Sequence, residues 1–167
     1  MPVRDFADVY DQHVSLVYGF FAYALRSRAD AEDLSQQTFE RALRAWGRYD
    51  HKRASPSTWL LAIARNLLVD HLRSVRVSQA VDDVSLEAVA AEPDRPGLGL
   101  DPDLERALGE LGRRDRELIA LRFGGDLTGA EIAAVTGLSL SNVQQILSRS
   151  LRRMRASLDA VPAGAEA

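Results

Sequence analysis

A short run of hydroxyl and amide side chains near the end of the chain has the chemistry needed to read DNA bases. The run consists of Ser141, Asn142, Gln144 and Gln145. The amide of Asn or Gln can bind adenine through two hydrogen bonds in the major groove. Four arginines follow, Arg149, Arg152, Arg153 and Arg155, and no acidic residue occurs from 141 to 158. Arginines mostly bind phosphates, which position a protein on DNA without reading its sequence.

The residues around this run have the layout of a helix-turn-helix. Gly137 lies at the predicted turn, where a positive φ is needed, and Ser139 or Ser141 can cap the second helix. Apolar residues recur at helical spacing on both sides of the turn: Ile132, Ala133 and Val135 before it, and Val143, Ile146 and Leu147 after it. The pattern predicts a helix that lies in a DNA major groove, with Ile146 packed inward. A helical hairpin that packs against another protein is the alternative.

Three helices are predicted in the first 76 residues, at about 5–26, 31–46 and 56–76. Each has apolar residues at three- and four-residue steps, which is typical of amphipathic helices. Asp30 is the predicted N-cap of the second helix, and Ser55 is that of the third.

The second of these helices has two chemically different faces. Phe39, Leu43 and Trp46 form an apolar stripe that is expected to hold the helix to its own domain. Acidic and amide side chains occupy the rest of the surface: Asp30, Glu32, Asp33, Gln36, Gln37 and Glu40. Acids near a helix start can simply stabilise it in water, so this face is either a solvated surface or a docking surface.

The third helix is predicted to expose one polar stripe. Asn66, Asp70 and Arg73 lie at i, i+4 and i+7, which places them on the same side of the helix. The inward residues are Leu60, Ile63, Ala64, Leu67 and Leu68. We interpret Trp59 as a core anchor.

The composition changes after the third helix. Residues 77–100 contain five acids against one arginine, together with two prolines and two glycines, which predicts a flexible acidic linker. Helical spacing returns over 101–160, and residues 161–167 are expected to be a disordered tail. The predicted fold class is all-α, with a three-helix N-terminal domain (1–76) joined by the linker to a four-helix C-terminal domain (101–160) that contains the helix-turn-helix.

The remaining features argue against several functional classes. The chain has no cysteine, so disulfides and thiol catalysis are excluded. We find no catalytic set, no metal site and no nucleotide-binding loop, and therefore expect neither enzymatic activity nor a cofactor. No signal peptide and no apolar run of membrane-spanning length occurs. We expect a cytoplasmic protein without membrane insertion.

Three blocks of sequence resemble bacterial RNA polymerase sigma factors of the extracytoplasmic-function (ECF) group. The first is DAEDLSQQTFERALRAW (30–46), and the second is STWLLAIARNLLVDHLRS (57–74). The third spans 104–158 and contains LGELGRRDRELIALRF followed by the helix-turn-helix. Together the matches cover most of the chain, and their order is specific to the family.

The resemblance implies a partner and a role for each domain. It implies that the acidic face of the second helix, Asp30 to Glu40, docks on core RNA polymerase. It implies that the loop 48–57 and the third helix open and read the −10 element of promoter DNA, with Asn66 in a base pocket. The other implied contacts to −10 DNA are Arg48, Lys52, Arg53, Arg65 and Arg73, and Tyr49 is a candidate for base stacking.

The helix-turn-helix would read the −35 element through Ser141, Asn142, Gln144 and Gln145, with Arg149, Arg152 and Arg153 on phosphates. The family often has a Lys-x-Arg pattern where this chain has Gln144, Gln145 and Ile146, so its −35 sequence is expected to differ. Family members are often held by an anti-sigma factor, and such a partner is expected here.

Two other classes of function are compatible with parts of the sequence. One is a two-domain helix-turn-helix regulator that binds DNA without polymerase, usually as a dimer on paired half-sites. The other is a sigma-like protein that occupies polymerase without reading promoters. The IARN block favours the sigma factor.

Overall fold

The computed structural model describes residues 5–81 and 99–160, and every regular element within them is helical. The first range contains α1 (Phe6–Ala24), α2 (Arg28–Ala45), a 3₁₀ turn (Trp46–Arg48) and α3 (Pro56–Val81). The second contains α4 (Pro102–Gly109), α5 (Arg113–Ile119), a π-helical stretch (Ala120–Gly124), α6 (Gly129–Thr136) and α7 (Leu140–Asp159). The predicted all-α class and the two groups of helices are confirmed.

Two predicted helix boundaries are wrong. Helix α2 begins three residues early because Ser27, and not Asp30, is its cap: the Ser27 hydroxyl accepts a hydrogen bond from the Asp30 N–H at 3.3 Å. Helix α3 continues to Val81, so the first five residues of the predicted linker are helical. The rest of that linker up to 98, and the predicted tail 161–167, lie outside the described residues.

The helix-turn-helix forms as predicted. Gly137 ends α6 with φ 77°, in the left-handed region. Ser139 caps α7, since its hydroxyl accepts from the Asn142 N–H at 3.1 Å. Thr128 and Glu131 form a reciprocal capping box at the start of α6. Local hydrogen bonds thus fix the N-terminal end of each of the two helices.

The two groups of helices share one hydrophobic core. Buried residues of α1 and α3 pack in the same cluster as buried residues of the C-terminal group. The C-terminal members of this cluster are Leu118, Ala120, Leu121, Leu127, Ile132, Val143 and Ile146. The sequence indicated two domains on a linker; in the structure these domains are closed against each other.

Backbone contact between two glycines allows this closure. A Cβ on Gly124 would lie 2.4 Å from the Gly19 carbonyl oxygen, and a Cβ on Gly19 would lie 2.7 Å from the Gly124 oxygen. Both distances are far below van der Waals contact. Only glycine at both positions lets α1 and the π-helical stretch approach so closely.

A half-buried arginine adds polar contacts to the same interface. Arg116 of α5 donates from Nε to the Tyr23 carbonyl at 2.7 Å and from Nη2 to the Leu25 carbonyl at 3.1 Å. These carbonyls lie at the C-terminal end of α1, which carries partial negative charge. Burial, together with the positive charge of Arg26, lowers the pKa of Arg116 to about 10, so the guanidinium remains charged at neutral pH.

The substitution Gly124→Ala should weaken closure, because the new methyl group cannot fit against the Gly19 carbonyl. We expect the free energy of unfolding to fall by about 1–3 kcal/mol and the radius of gyration in solution to rise. Urea denaturation and small-angle X-ray scattering measure the two effects.

Gly47→Ala is the matched control, since a Cβ at Gly47 meets nothing within 4 Å. A Gly124→Ala protein as compact and stable as the Gly47→Ala protein would contradict the closed arrangement.

Candidate nucleic-acid and polymerase interface

The predicted base-reading side chains lie at the start of α7. Ser141, Gln144 and Gln145 are exposed, and they occupy one helix face because they are separated by three and four residues. Asn142 is half-buried. Ile146 is 5% exposed, which confirms that it packs inward. The first two turns of α7 thus offer two primary amides and a hydroxyl to a ligand.

The arginines of α7 have an acidic neighbour that the sequence did not indicate. The Asp115 carboxylate of α5 receives a hydrogen bond from Arg149 Nη2 at 3.0 Å, and Arg153 Nη1 lies 4.0 Å from its other oxygen. Asp115 is itself only 8% exposed, whereas both arginines are exposed. Arg152 is exposed as well, and no ion pair involves it within the described ranges.

On α3, the predicted polar stripe is exposed as expected. Asn66, Asp70 and Arg73 all face solvent. Arg65 differs: its guanidinium forms an ion pair with Glu117 of the C-terminal group, and the two side chains are 26% and 15% exposed. In the closed arrangement the charge of Arg65 is therefore already paired.

The loop before α3 is held by three aromatic rings. Tyr49 stacks on Trp46 with centroids 5.2 Å apart and lies 4.7 Å from the Trp59 ring. Its hydroxyl donates to the Ala54 carbonyl at 2.8 Å. Trp59 is half-buried against the core, in agreement with its interpretation as an anchor. Tyr49, the candidate for base stacking, packs instead between the rings of Trp46 and Trp59.

The basic residues of that loop project outward. Arg48, Lys52 and Arg53 are exposed. The loop therefore presents three cationic side chains beside the packed aromatic rings, just before the start of α3.

The acidic face of α2 is exposed and internally paired. Glu32 receives a hydrogen bond from Arg28 at 3.0 Å, and Gln37 donates to Asp33 at 2.8 Å. Gln36 donates to Glu40 at 3.3 Å. Asp30 is half-buried, with an oxygen 3.6 Å from His71 Nε2. Each of these pairs is on the surface and contributes little to stability, so the groups can exchange partners easily.

A groove between α1 and α2 adds an apolar surface that the sequence did not indicate. It has a volume of about 710 Å³, and its lining includes Phe6, Tyr10, Phe39 and Leu43 with Glu32, Gln36 and Glu40. The prediction that Leu43 holds α2 to its domain is wrong, because Leu43 is 58% exposed. Phe39 is 5% exposed, and Trp46 is half-buried against the core, so the other two members of the stripe pack inward.

The described residues contain no group of three His, Asp or Glu side chains that could hold a metal ion. Within 5–81 and 99–160, no helix is long and apolar enough to cross a membrane. The features that do stand out are the polar start of α7, the polar stripe of α3, the basic loop, and the acidic face of α2 with its adjacent groove.

Comparison with known proteins identifies the family. Residues 9–77 match the family model Sigma-70 region 2, and residues 107–156 match Sigma-70, region 4. The chain is 31% identical over 154 residues to the ECF RNA polymerase sigma factor RpoE of Cereibacter sphaeroides, covering 90% of this chain and 84% of that protein. It is 34% identical to the RNA polymerase sigma factor CarQ of Myxococcus xanthus, covering 90% and 87%.

The ECF RNA polymerase sigma factor BldN of Streptomyces coelicolor is 32% identical over 154 residues, and the chain spans 58% of its length. Among solved structures, the sigma factor RpoE in complex with the anti-sigma factor NepR from Bartonella quintana is similar, with a TM-score of 0.77 and 26% identity. The match covers 95% of this chain and 99% of that one.

This chain belongs to the ECF group of the sigma-70 family. It is a transcription initiation factor that acts with core RNA polymerase in promoter recognition, and it is not an enzyme. A helix-turn-helix regulator that works without polymerase is not favoured, because the N-terminal half matches a sigma domain as well.

Proposed function

We propose that this chain works in the cytoplasm, where α2 docks on core polymerase, α3 and its preceding loop open and read the −10 element, and α7 reads the −35 element. The observation that carries this proposal is the polar start of α7, where exposed amides precede exposed arginines. Amides can discriminate base edges while arginines bind phosphates. The proposed −10 elements lie in the half that matches Sigma-70 region 2, and the proposed −35 helix lies in the half that matches Sigma-70, region 4.

Core polymerase is the proposed occupant of the acidic face of α2. Asp30, Glu32, Asp33, Gln36, Gln37 and Glu40 would meet basic groups of the polymerase. The groove beside them adds apolar contact through Tyr10 and Leu43, which are 43% and 58% exposed. An acidic rim around an apolar groove suits a helix with one apolar side and basic flanks.

The −10 element is the proposed ligand of α3 and the basic loop. Asn66 has both a donor and an acceptor and can therefore distinguish bases on an unpaired strand. Arg48, Lys52, Arg53 and Arg73 are exposed and available to phosphates. Arg65 joins them only when its ion pair with Glu117 is released.

The closed arrangement must open before both elements are bound. Elements about 25 base pairs apart span roughly 85 Å of DNA at about 3.4 Å per base pair. A compact chain of this length has a diameter of roughly 40 Å.

An anti-sigma factor is the proposed inhibitor. The similar structure of the sigma factor RpoE is a complex with the anti-sigma factor NepR, and the similar structure of CnrH is a complex with the cytosolic domain of CnrY. The match covers 99% of the RpoE chain and 89% of the CnrH chain, which supports a comparable partner for this chain.

We expect an inhibitory protein to copurify with this sigma factor from unstressed native cells, in place of core polymerase. Affinity purification followed by mass spectrometry measures this. Recovery of the chain only as a free protein or with polymerase would argue against an anti-sigma partner.

The function is tested by transcription from a pooled promoter library with core polymerase and the purified chain. Discrete start sites that depend on the chain, with enriched −35 and −10 sequences, are expected. Asn66→Ala should reduce open-complex formation and relax the preference at −10, while core binding is unchanged.

Asp70→Ala is the control for that variant, because it removes an exposed polar side chain from the same stripe. If Asn66→Ala and Asp70→Ala enriched the same −10 sequences as the wild type, the base-pocket assignment would be wrong.

Leu43→Ala should weaken binding to core polymerase by about tenfold, because an exposed leucine buried in a complex contributes about 1.5–3 kcal/mol in apolar contact, part of which the alanine retains. Stability should change little, since the side chain is mostly exposed in the free protein. Fluorescence anisotropy with labelled chain measures the affinity.

Leu158→Ala is the matched control, as Leu158 is also exposed, at 40%, but lies on α7. Equal affinity of the two variants for core polymerase would exclude the groove from the docking surface.

A further inference from the structure

We propose that Asp115 determines how strictly α7 discriminates between −35 sequences, by holding two arginines of that helix back from non-specific phosphate contacts. The inference rests on the proposed reading of −35 DNA by α7. Asp115 belongs to a different helix, α5, and would not itself touch a base. It acts through Arg149 and Arg153 as a positioning residue.

The geometry is that of one carboxylate shared by two guanidinium groups. Arg149 lies 3.0 Å from Oδ1 and Arg153 lies 4.0 Å from Oδ2. The two arginines are one helical turn apart, so both project from the same side of α7. The side chain of Asp115 is 11% exposed, while those of Arg149 and Arg153 are 56% and 63% exposed.

This arrangement restrains the arginines without removing them from solvent. A guanidinium has five N–H donors, and a single contact to Asp115 leaves several free to meet a phosphate. The carboxylate is fixed in the first turn of α5 and cannot follow the arginines outward. Each arginine can therefore bind a phosphate only where the DNA backbone comes to it, and the negative charge behind it weakens that attraction.

Specificity follows from the difference between two binding modes. In the register where Ser141, Gln144 and Gln145 meet bases, the backbone lies where the restrained arginines can reach it. In other registers the arginines would have to swing away from Asp115 to find a phosphate. Removal of the carboxylate charge should thus strengthen non-specific binding more than specific binding.

Arg152 offers a contrast on the same helix. It is exposed, and the described residues provide it with no acidic partner. Its phosphate contact would therefore be insensitive to Asp115, which separates a local effect on two arginines from a general change in charge.

The test uses holoenzyme assembled from core polymerase and either wild-type chain or Asp115→Asn. The probes are a promoter fragment selected from the library by wild-type holoenzyme and the same fragment with its −35 element scrambled. Asparagine keeps the size of the side chain and one oxygen acceptor. Binding is measured across a salt series by filter retention.

We expect Asp115→Asn to bind the scrambled fragment about 3- to 10-fold more tightly at low salt, with a log–log salt slope steeper by up to about one. Affinity for the selected fragment should rise much less, so the ratio between the two fragments falls. Adding Arg149→Gln to Asp115→Asn should restore much of the ratio, while adding Arg152→Gln should not.

Asp126→Asn is the control, because it makes the same chemical change in the C-terminal half, where the carboxylate faces Arg122 rather than an arginine of α7. It should leave the ratio unchanged.

Each outcome is decisive. If wild-type holoenzyme does not distinguish the two fragments, α7 does not read −35 DNA and the proposed function of that helix fails. If it does distinguish them but Asp115→Asn has the wild-type slope and ratio, only the role of Asp115 is overturned. Equal loss of affinity for both fragments, with a lower melting temperature, would also overturn it, since the ion pair would then serve only to hold α5 against α7.

Discussion

The contact between the backbones of Gly19 and Gly124 determines how the rest of the molecule is arranged. It brings α1 against the π-helical stretch so closely that no side chain fits between them. Leu118, Leu121 and Leu127 can then bury their side chains in the same cluster as residues of α1 and α3. The hydrophobic contribution of this burial is proportional to the apolar area removed from water, and a gap of one methyl group between the halves would weaken the van der Waals contacts across it.

The polar groups at this interface compensate for their own burial. The carbonyls at the end of α1 have no further turn of helix to accept from, and the guanidinium of Arg116 satisfies two of them. A buried carbonyl without a donor would cost about 1–3 kcal/mol. Arg116 and Glu117 are consecutive residues that contact different N-terminal helices, so one turn of α5 links the C-terminal half to both α1 and α3.

Local chemistry made much of this fold predictable. The turn of the helix-turn-helix needs a left-handed residue, and Gly137 meets that need regardless of what surrounds it. The N-cap of α2 was harder to predict, because Ser27 and Asp30 are both good capping residues and the sequence alone does not distinguish them. Leu43 follows Phe39 by four residues and so lies near its face, but α1 covers only one of the two.

Features that join distant parts of the chain had no signature in the sequence. Nothing in the sequence around Gly19 or Gly124 indicates that their backbones come into contact. Asp115 is separated by 34 residues from Arg149, and the absence of acids from 141 to 158 suggested a helix with uncompensated positive charge. Such pairings depend on tertiary packing, which neither the spacing of apolar residues nor the amino-acid composition reveals.

Under the proposed function, the ion pair between Arg65 and Glu117 makes closure of the two halves compete with promoter binding. We infer that Arg65 cannot bind Glu117 and a promoter phosphate at the same time. Molecules in the closed arrangement are therefore unable to bind the promoter through Arg65. By thermodynamic linkage, the free energy of closure then affects how much sigma factor is available for transcription. Each 1.4 kcal/mol that favours the closed state lowers the apparent affinity of the sigma factor for its open partners about tenfold. Small changes at the interface between the two halves would thereby set how much sigma factor a cell must make before its promoters respond.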